Sequence, residues 1–588
     1  MRALTGSTPT RGLLSLAAVA VAFAAADTYV VVLALPDMMA SVGVPIDQLQ
    51  RAAPIVSGFL LGYVAMLPLI GRIADLRGRV PVLVFSLVLF AFGSLVTALA
   101  YDMPSIVIGR FLQGVGGGGL VPATLALVAD LYPRDRRGVP LGIVSAVQEL
   151  GAVIGPLFGA VVLAFADWRA IFVINLAVGL VLAAALFSLG AAGAPSGDGG
   201  PRRRPDVVGA LLLLVALAAG SLVFTRPAPL LRDLTWGQLF IPYTGSGRWL
   251  TPIGLIAIGA ALLFLIWCLL ATRPLLDLRG WGASLKEADV VGALLLAAAL
   301  AGVILAFATA DPKIQVFSDR GWWFLLGSAV ASVLFALHLR RATAPLVPTG
   351  ALRHTPAWGA LVVSFFIGAA LIAALIDIPL FARTTVYPDS QLAAALVLVR
   401  FLVALPVGAV LGGYLIRRFS PGVITAAGML MAAVGFVFMA QWDLTTIEEP
   451  IANVGLILGG LGFGLALAPV NAALLAFTDD DVHGVASAFV VVSRMVGMLV
   501  GISALTTLGL RRYYAEQGDV PSAREVCDGK SRCKEYSDLL RVAGIAQEQT
   551  VFYGAAVCAV LAAILALVLF RAAKATPLST RDLLTTHG

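Results

Sequence analysis

The chain has 588 residues, 60% of them hydrophobic and only 12% charged, with a mean hydropathy of +0.96. These figures leave room for little but a polytopic membrane protein. The net charge of +7 would suit a nucleic-acid binder, but the basic residues sit in short connections between apolar runs, where they set membrane topology.

Apolar stretches of spanning length fall near 13–35, 52–70, 79–100, 105–129, 139–163 and 169–190. The basic start, Met1–Arg11, and the small residues Ala24, Ala25 and Ala26 imitate a signal peptide. Val30–Leu35 continue the run to bilayer length, so the reading is an uncleaved first span. A polar linker with Arg202, Arg203 and Arg204 follows the sixth span, then come 207–224, 250–271, 290–309 and 322–339. The last group is 357–382, 391–416, 422–441, 451–477, 484–510 and 550–570, with 511–549 read as a long outer loop. That makes sixteen spans with both ends on one side, and the basic short connections put that side in the cytoplasm. One inner connection, Thr478–His483, contains Asp479, Asp480 and Asp481 and no base, which this rule does not explain.

An internal repeat accounts for the extra spans. Asp206 opens DVVGALLLLVALA and Asp289 opens DVVGALLLAAALA, identical at 11 of 13 positions. Each copy leaves through matching residues: Thr272, Pro274 and Leu275, then Thr343, Pro345 and Leu346. The reading is a duplicated helical hairpin, 206–271 and 289–341, set in a linker region 191–355. Without it six spans remain in 1–190 and six in 356–588. The hairpin spans carry no Asp, Glu, Lys or Arg, as lipid-facing helices require. The outer loop 225–249 mixes arginines with Trp236, Phe240, Tyr243 and Trp249, which suits the headgroup interface.

Six ionisable side chains fall well inside spans: Asp27, Glu149, Asp377, Arg110, Arg400 and Arg494. A charge at mid-bilayer costs about 2.5–3.5 kcal/mol even on the lenient insertion scale, so such residues are paired or functional. Glu149 stands near the middle of 139–163, roughly 200° around the helix from a stripe of Gly151, Gly155 and Gly159. The stripe admits a close helix neighbour and the opposite face presents the acid to an interior. Gly497 and Gly501 serve the same purpose beside Arg494. Burial raises a carboxylate's pKa and a nearby arginine lowers it, so Asp27, Glu149 and Arg494 together meet the requirement for proton coupling. Asp377 and Arg400 are secondary candidates, with a static structural role the competing reading. His338, His354, His483 and His587 are read into connections or the tail, so no metal site is visible. Gly116–Gly119 lies within a span and reads as helix packing, not as a phosphate loop. Cys527 and Cys533 share the outer loop, where oxidation permits a disulfide.

Several motifs carry a resemblance. Gly71-Arg-Ile-Ala-Asp75-Leu-Arg77-Gly78-Arg79 resembles the G-x-x-x-D-R-x-G-R loop of the major facilitator superfamily. The chemistry fits a latch: Asp75 can accept from arginines or a helix N-terminus. Gly413–Gly422 is a degenerate counterpart without the acid. Arg110-Phe-Leu-Gln113-Gly114-Val-Gly116 is similar to that superfamily's fourth-helix motif, and Gly151, Gly155-Pro156 and Gly159 to its fifth-helix antiporter motif. Asp27-Thr28 with Ala34-Leu35-Pro36, and Trp168-Arg169 with Phe172 and Asn175, resemble the branch of drug:proton antiporters with fourteen spans. That branch carries one inserted hairpin; here there are two. Gln148-Glu149 and Ser493-Arg494 most resemble its actinobacterial lipid exporters.

The resemblance implies an all-α fold of 6+6 helices with two inserted hairpins, in the cell inner or plasma membrane, and a monomeric protein that is not an enzyme. It implies proton-coupled export of drugs or lipids by alternating access, without cofactor, metal or nucleic acid, and with a cell-envelope lipoprotein as partner. A nutrient importer and a non-transporting membrane scaffold are the rival readings. Few hydrogen-bonding side chains on the candidate cavity helices argue against a sugar importer, and the retained intramembrane acids argue against a scaffold.

Overall fold

The computed structural model describes residues 8–43, 53–133, 136–192, 206–244, 247–272, 274–308, 320–342, 345–347, 350, 352–387, 390–518, 520–521, 523–527 and 533–573. Arg202–Arg204, Thr343 and His587 lie outside them, as do the side chains of Thr28, Pro36, Glu149 and Pro156.

The first six helices are α1 (Thr8–Ser41), α2 (Ala53–Arg77), α3 (Arg79–Ala98), α4 (Met103–Leu131), α5 (Gly138–Phe165) and α6 (Arg169–Ala192). The inserted region holds α7 (Val207–Thr225), α8 (Ala228–Arg232), α9 (Pro252–Leu270), α10 (Leu278–Glu287), α11 (Val290–Ala308) and α12 (Gly321–Arg341). Then come α13 (Thr355–Thr384), α14 (Gln391–Leu415), α15 (Pro421–Met439), α16 (Ala452–Ala476), α17 (His483–Gly518), α18 (Ala523–Val526) and α19 (Lys534–Leu569). Among the described residues fourteen helices are long and apolar enough to cross a membrane. The continuous helices α1 and α5, which carry Asp27 and Glu149, bring the long helices to sixteen.

Small residues set the packing of both bundles. In α4, Gly114 and Gly118 lie against the backbone of α2 at Phe59 and Tyr63, while Gly116 lies against α3 at Phe90. A Cβ at Gly114 would come within 2.1 Å of Phe59 O, so no other residue fits that crossing. The α5 stripe meets α1: Gly151 at Ala22, Gly155 at Ala26 and Gly159 at Val30. Gly497 and Gly501 of α17 pack on Phe365 and Ala369 of α13.

The two inserted hairpins close by one device. Asp206 accepts from Gly209 N at 2.9 Å, Trp267 Nε1 at 2.9 Å and Leu275 N at 2.8 Å. Asp289 accepts from Gly292 N at 2.9 Å and Leu346 N at 3.0 Å, with His338 Nε2 at 2.7 Å. Each aspartate caps its own first helix and ties it to the second helix and to the exit after the proline. Burial pushes Asp289 up, but the bonds from Gly292, His338 and Leu346 outweigh it and hold the carboxyl below its ordinary range. His338 thus belongs to the last turn of α12 and His483 opens α17, correcting their reading as connection residues.

The copies sit differently. Helix α11 packs against α2 and α17, one from each six-helix group, whereas α12 is largely exposed. Helices α7 and α9 stand off from α3 and α4 across a crevice of roughly 800 Å³, walled by residues such as Phe92, Ile108, Leu213 and Phe264. At one end of that crevice Arg248 lies over the Tyr101 ring at 3.8 Å, and Phe224 meets Trp249 edge to face at 5.6 Å. Between the hairpins, α10 is anchored by Arg77, which donates to Asp277 at 2.9 Å and sits 4.8 Å over Trp281.

The expected outer loop 511–549 is mostly helix, because α17 runs on to Gly518 and α19 starts at Lys534. Each is 36 residues long, about 54 Å at 1.5 Å per residue and longer than the roughly 30 Å of bilayer hydrocarbon. Cys527 and Cys533 are disulfide-bonded between them, with Cα atoms 5.5 Å apart.

Candidate functional site

One end of the bundle is drawn shut by the α2–α3 motif. Asp75, at the end of α2, accepts from Gly484 N at 2.8 Å and Val485 N at 3.0 Å, the free amides that open α17. An anion there satisfies orphan donors and complements the helix dipole. Arg79 binds the same carboxylate and also donates to Asp130 at 3.1 Å. Gly78 joins α2 to α3 at φ 90°, a left-handed conformation that favours glycine. Gly71 and Gly484 touch through their backbones; a Cβ on Gly484 would meet Gly71 O at 2.4 Å.

The acidic connection before α17 belongs to this latch. Arg72 donates to Asp481 O at 3.2 Å and Arg79 to Asp480 O at 3.4 Å. The Asp480 carboxylate lies 3.9 Å from Arg137. The connection thus meets arginines of the other six-helix group through two backbone carbonyls and the Asp480 carboxylate. The degenerate second copy keeps the glycine part alone: Gly138 of α5 meets Gly413 of α14 backbone to backbone.

The intramembrane charges divide into separate groups. Arg110 of α4 donates to Asp27 of α1 at 2.6 Å, with side-chain exposures of 1% and 0%. Asn175 of α6 donates to the other oxygen of Asp27, and Arg110 donates to Gln113 Oε1 at 3.0 Å. Gln113 in turn donates to Ser94 Oγ of α3 at 2.8 Å. The guanidinium stacks 4.3 Å over Phe59 and 5.8 Å from Phe172. The fourth-helix motif, the first-helix aspartate and the sixth-helix Asn175 are therefore one network. Asp27 and Asn175 border a cavity of roughly 230 Å³ with Phe23, Ile154 and Phe158.

Arg494 is buried on α17, where Gly368 of α13 packs against its backbone. The sequence reading grouped Asp27 with Glu149 and Arg494; the partner given to Asp27 here is Arg110. Arg400 is exposed and donates to Asn453 at 3.3 Å, so it is not one of the buried bases. Asp377 is buried beside Glu548 of α19, an acid that the loop reading of 511–549 concealed. The signal was available: Glu548 stands four residues, one helical turn, before Phe552 on the apolar face of the last span.

Two bundles of six membrane helices, joined at one end by a charged latch and holding a buried ion pair in mid-span, define a transporter. The Major Facilitator Superfamily model matches residues 17–339, and the chain belongs to that superfamily. Curated relatives include triacylglyceride transporters of Mycolicibacterium hassiacum, 35% identical over 85% of this chain and 79% of its own length, and of Mycobacterium tuberculosis, 34% identical over 85% and 83%. The triacylglyceride transporter of Mycolicibacterium smegmatis is 33% identical over 95% and 87%. Among solved structures the human organic anion transporter MFSD10 superposes with a TM-score of 0.55 at 13% identity, covering 95% of this chain and 100% of that one. The proton:xylose symporter XylE gives 0.51 at 13% identity, with 94% of each chain covered. These two likenesses concern the fold.

Proposed function

We propose that the chain exports a neutral or amphiphilic lipid, of the triacylglyceride class, in exchange for protons. The lipid cargo is supported by relatives at 33–35% identity named triacylglyceride transporters. The proton coupling is carried by one observation: Asp27, a fully buried carboxylate in mid-span held by Arg110 and Asn175. Protonating Asp27 removes its attraction for Arg110 and leaves a buried guanidinium to find another partner, so the charge state biases the arrangement of α1 and α4. The basic connections orient the latch end toward the cytoplasm of a cell or plasma membrane, with both termini on that side. In this reading a closed latch shuts the cytoplasmic side, the arrangement in which cargo leaves and a proton enters from outside. Glu149 and Arg494, on the helices α5 and α17 that meet the opposite bundle at the latch end, serve as the second half of the coupling system.

The test is transport in proteoliposomes with an imposed proton gradient, using a fluorescent triacylglyceride and a small cationic dye. Gradient-driven triacylglyceride movement that stops when the gradient is collapsed supports the reading. Equal movement with and without the gradient overturns the coupling, and movement of the dye alone overturns the lipid assignment.

A further inference from the structure

Far from the latch, α13 and α19 bring two acids together. Helix α17 leaves the latch at His483 and α19 returns from the opposite end, so Glu548, in its first half, lies toward that opposite end with Asp377. Asp377 is 6% exposed and Glu548 1%. The two side chains lie within hydrogen-bonding reach of one another. Gln547 donates to Glu548 Oε1 at 3.1 Å, while Glu548 Oε2 is buried with no donor.

The surroundings offer no counter-charge. Among the described residues neither acid forms an ion pair. On the elements packed around them, Arg383 of α13, Arg400 of α14, Arg511 and Arg512 of α17 and Arg541 of α19 are exposed. Helices α15 and α16 contribute no charged side chain. Arg494 and His483 lie in the latch half of α17; Gly368, which packs on Arg494, precedes Asp377 by nine residues, roughly 13 Å along the helix. Phe381 and Phe552, one turn beyond each acid, stand 6.4 Å apart and both pack on Trp442. The three rings are themselves buried, so the helix turns next to the pair are apolar and dry.

Two carboxylates in contact, buried and without a base, repel one another; the contact becomes attractive when one oxygen carries a proton and donates it to the other. We propose that Asp377 and Glu548 form a second proton-binding site, one proton being held between the two carboxyl groups and donated across the α13–α19 interface. Nothing in this site requires the Asp27 network, and it stands or falls separately from the transport reading. Its consequence is mechanical. Pro379 interrupts the hydrogen bonding of α13 two residues beyond Asp377, so the outer end of that helix is clasped to α19 through the shared proton.

The test is pH-difference infrared spectroscopy on the purified full-length chain, following the carbonyl stretch of protonated carboxylic acid, with thermal melting over the same pH range. The unaltered chain should show the band at neutral pH and lose thermal stability as the proton leaves at alkaline pH. Asp377→Asn and Glu548→Gln should each remove one acid's band while Asp27→Asn leaves it. Glu548→Gln should also flatten the alkaline loss of stability, because its amide donates without a titratable proton. Should neither variant fold, carbonyl isotope labelling of aspartate and of glutamate in the unaltered chain reads the same band. A band unmoved by both variants or by both labels overturns the proposal. So does a band discharged by sodium chloride at constant pH, which would make the occupant a metal cation.

Discussion

Asp75→Asn isolates the latch, because the amide keeps the shape of the side chain and discards its charge. The aspartate serves two backbone donors, Gly484 N and Val485 N, and the Arg79 guanidinium. Asparagine has one acceptor oxygen, so one of the two backbone bonds is lost. A hydrogen bond to a charged group is worth about 1.5–3 kcal/mol, and losing the anion from a helix N-terminus costs a further ~1 kcal/mol. A total near 3 kcal/mol, at about 1.4 kcal/mol per decade, shifts the balance between closed and open latch roughly a hundredfold toward open. Spin labels at Phe187 of α6 and Phe419 after α14 are exposed reporters, one on each six-helix group. Their separation, measured by double electron–electron resonance, should move to a longer population in Asp75→Asn, with turnover reduced and cargo binding retained. An unchanged distance distribution together with lost binding would refute the latch.

Asp27→Asn and Glu149→Gln should fold yet lose gradient-driven export, measured as triacylglyceride movement in proteoliposomes; full transport by both removes the proton-carrier assignment. Asp27→Ala should be far worse, since stranding one partner of a buried pair costs about 3–5 kcal/mol, read as a large fall in melting temperature. Arg494→Ala should lower export more than either conservative acid variant in the same vesicles. The Asp289 clasp should weaken as pH falls: its carboxyl is held below the ordinary range, so its contribution is complete above about pH 4 and is lost as pH drops through the depressed value. Limited proteolysis of the inserted region on acidification should show this in the unaltered chain and not in Asp289→Asn. Excising one hairpin with a matched linker should reduce transport of bulky lipid more than of a small dye; complete loss of both in a well-folded variant would place the hairpin at the centre of the mechanism.

What could be read in advance was short-range. The spacing of Gly71, Asp75, Gly78 and Arg79 lies within nine residues and expresses a single helix end meeting a single turn, so the sequence displays it whole. The repeat was legible through Asp206, Asp289 and their exits, and the structure supplies the reason: those residues bond to one another. Trp267 and His338 escaped notice because they differ in kind, though both stand eight residues before the bonded leucine. Long-range pairing was not legible. Nothing in the spacing from Asp27 to Arg110, or from Asp377 to Glu548, says which acid meets which partner. Glu548 was hidden for a further reason: Gln547, Glu548 and Gln549 depress local hydropathy, so the span was started after them, although the helix had already begun at Lys534. The connection at 479–481 departs from a rule about topology, and in the folded chain it meets arginines of the other six-helix group: Arg72 and Arg79 through its backbone carbonyls and Arg137 through the Asp480 carboxylate.

The aspartate clasp has a consequence for how such a chain can grow. In each hairpin the aspartate bonds to that hairpin's own first helix, second helix and exit, so a copy brings the partners of its clasp with it. It also adds two crossings at a time. A single extra helix would have turned every later segment upside down and separated Gly484 from Asp75 by the thickness of the membrane. A pair leaves α13–α19 facing as before, so the number of inserted units is free to vary while the transporter around them keeps its handedness.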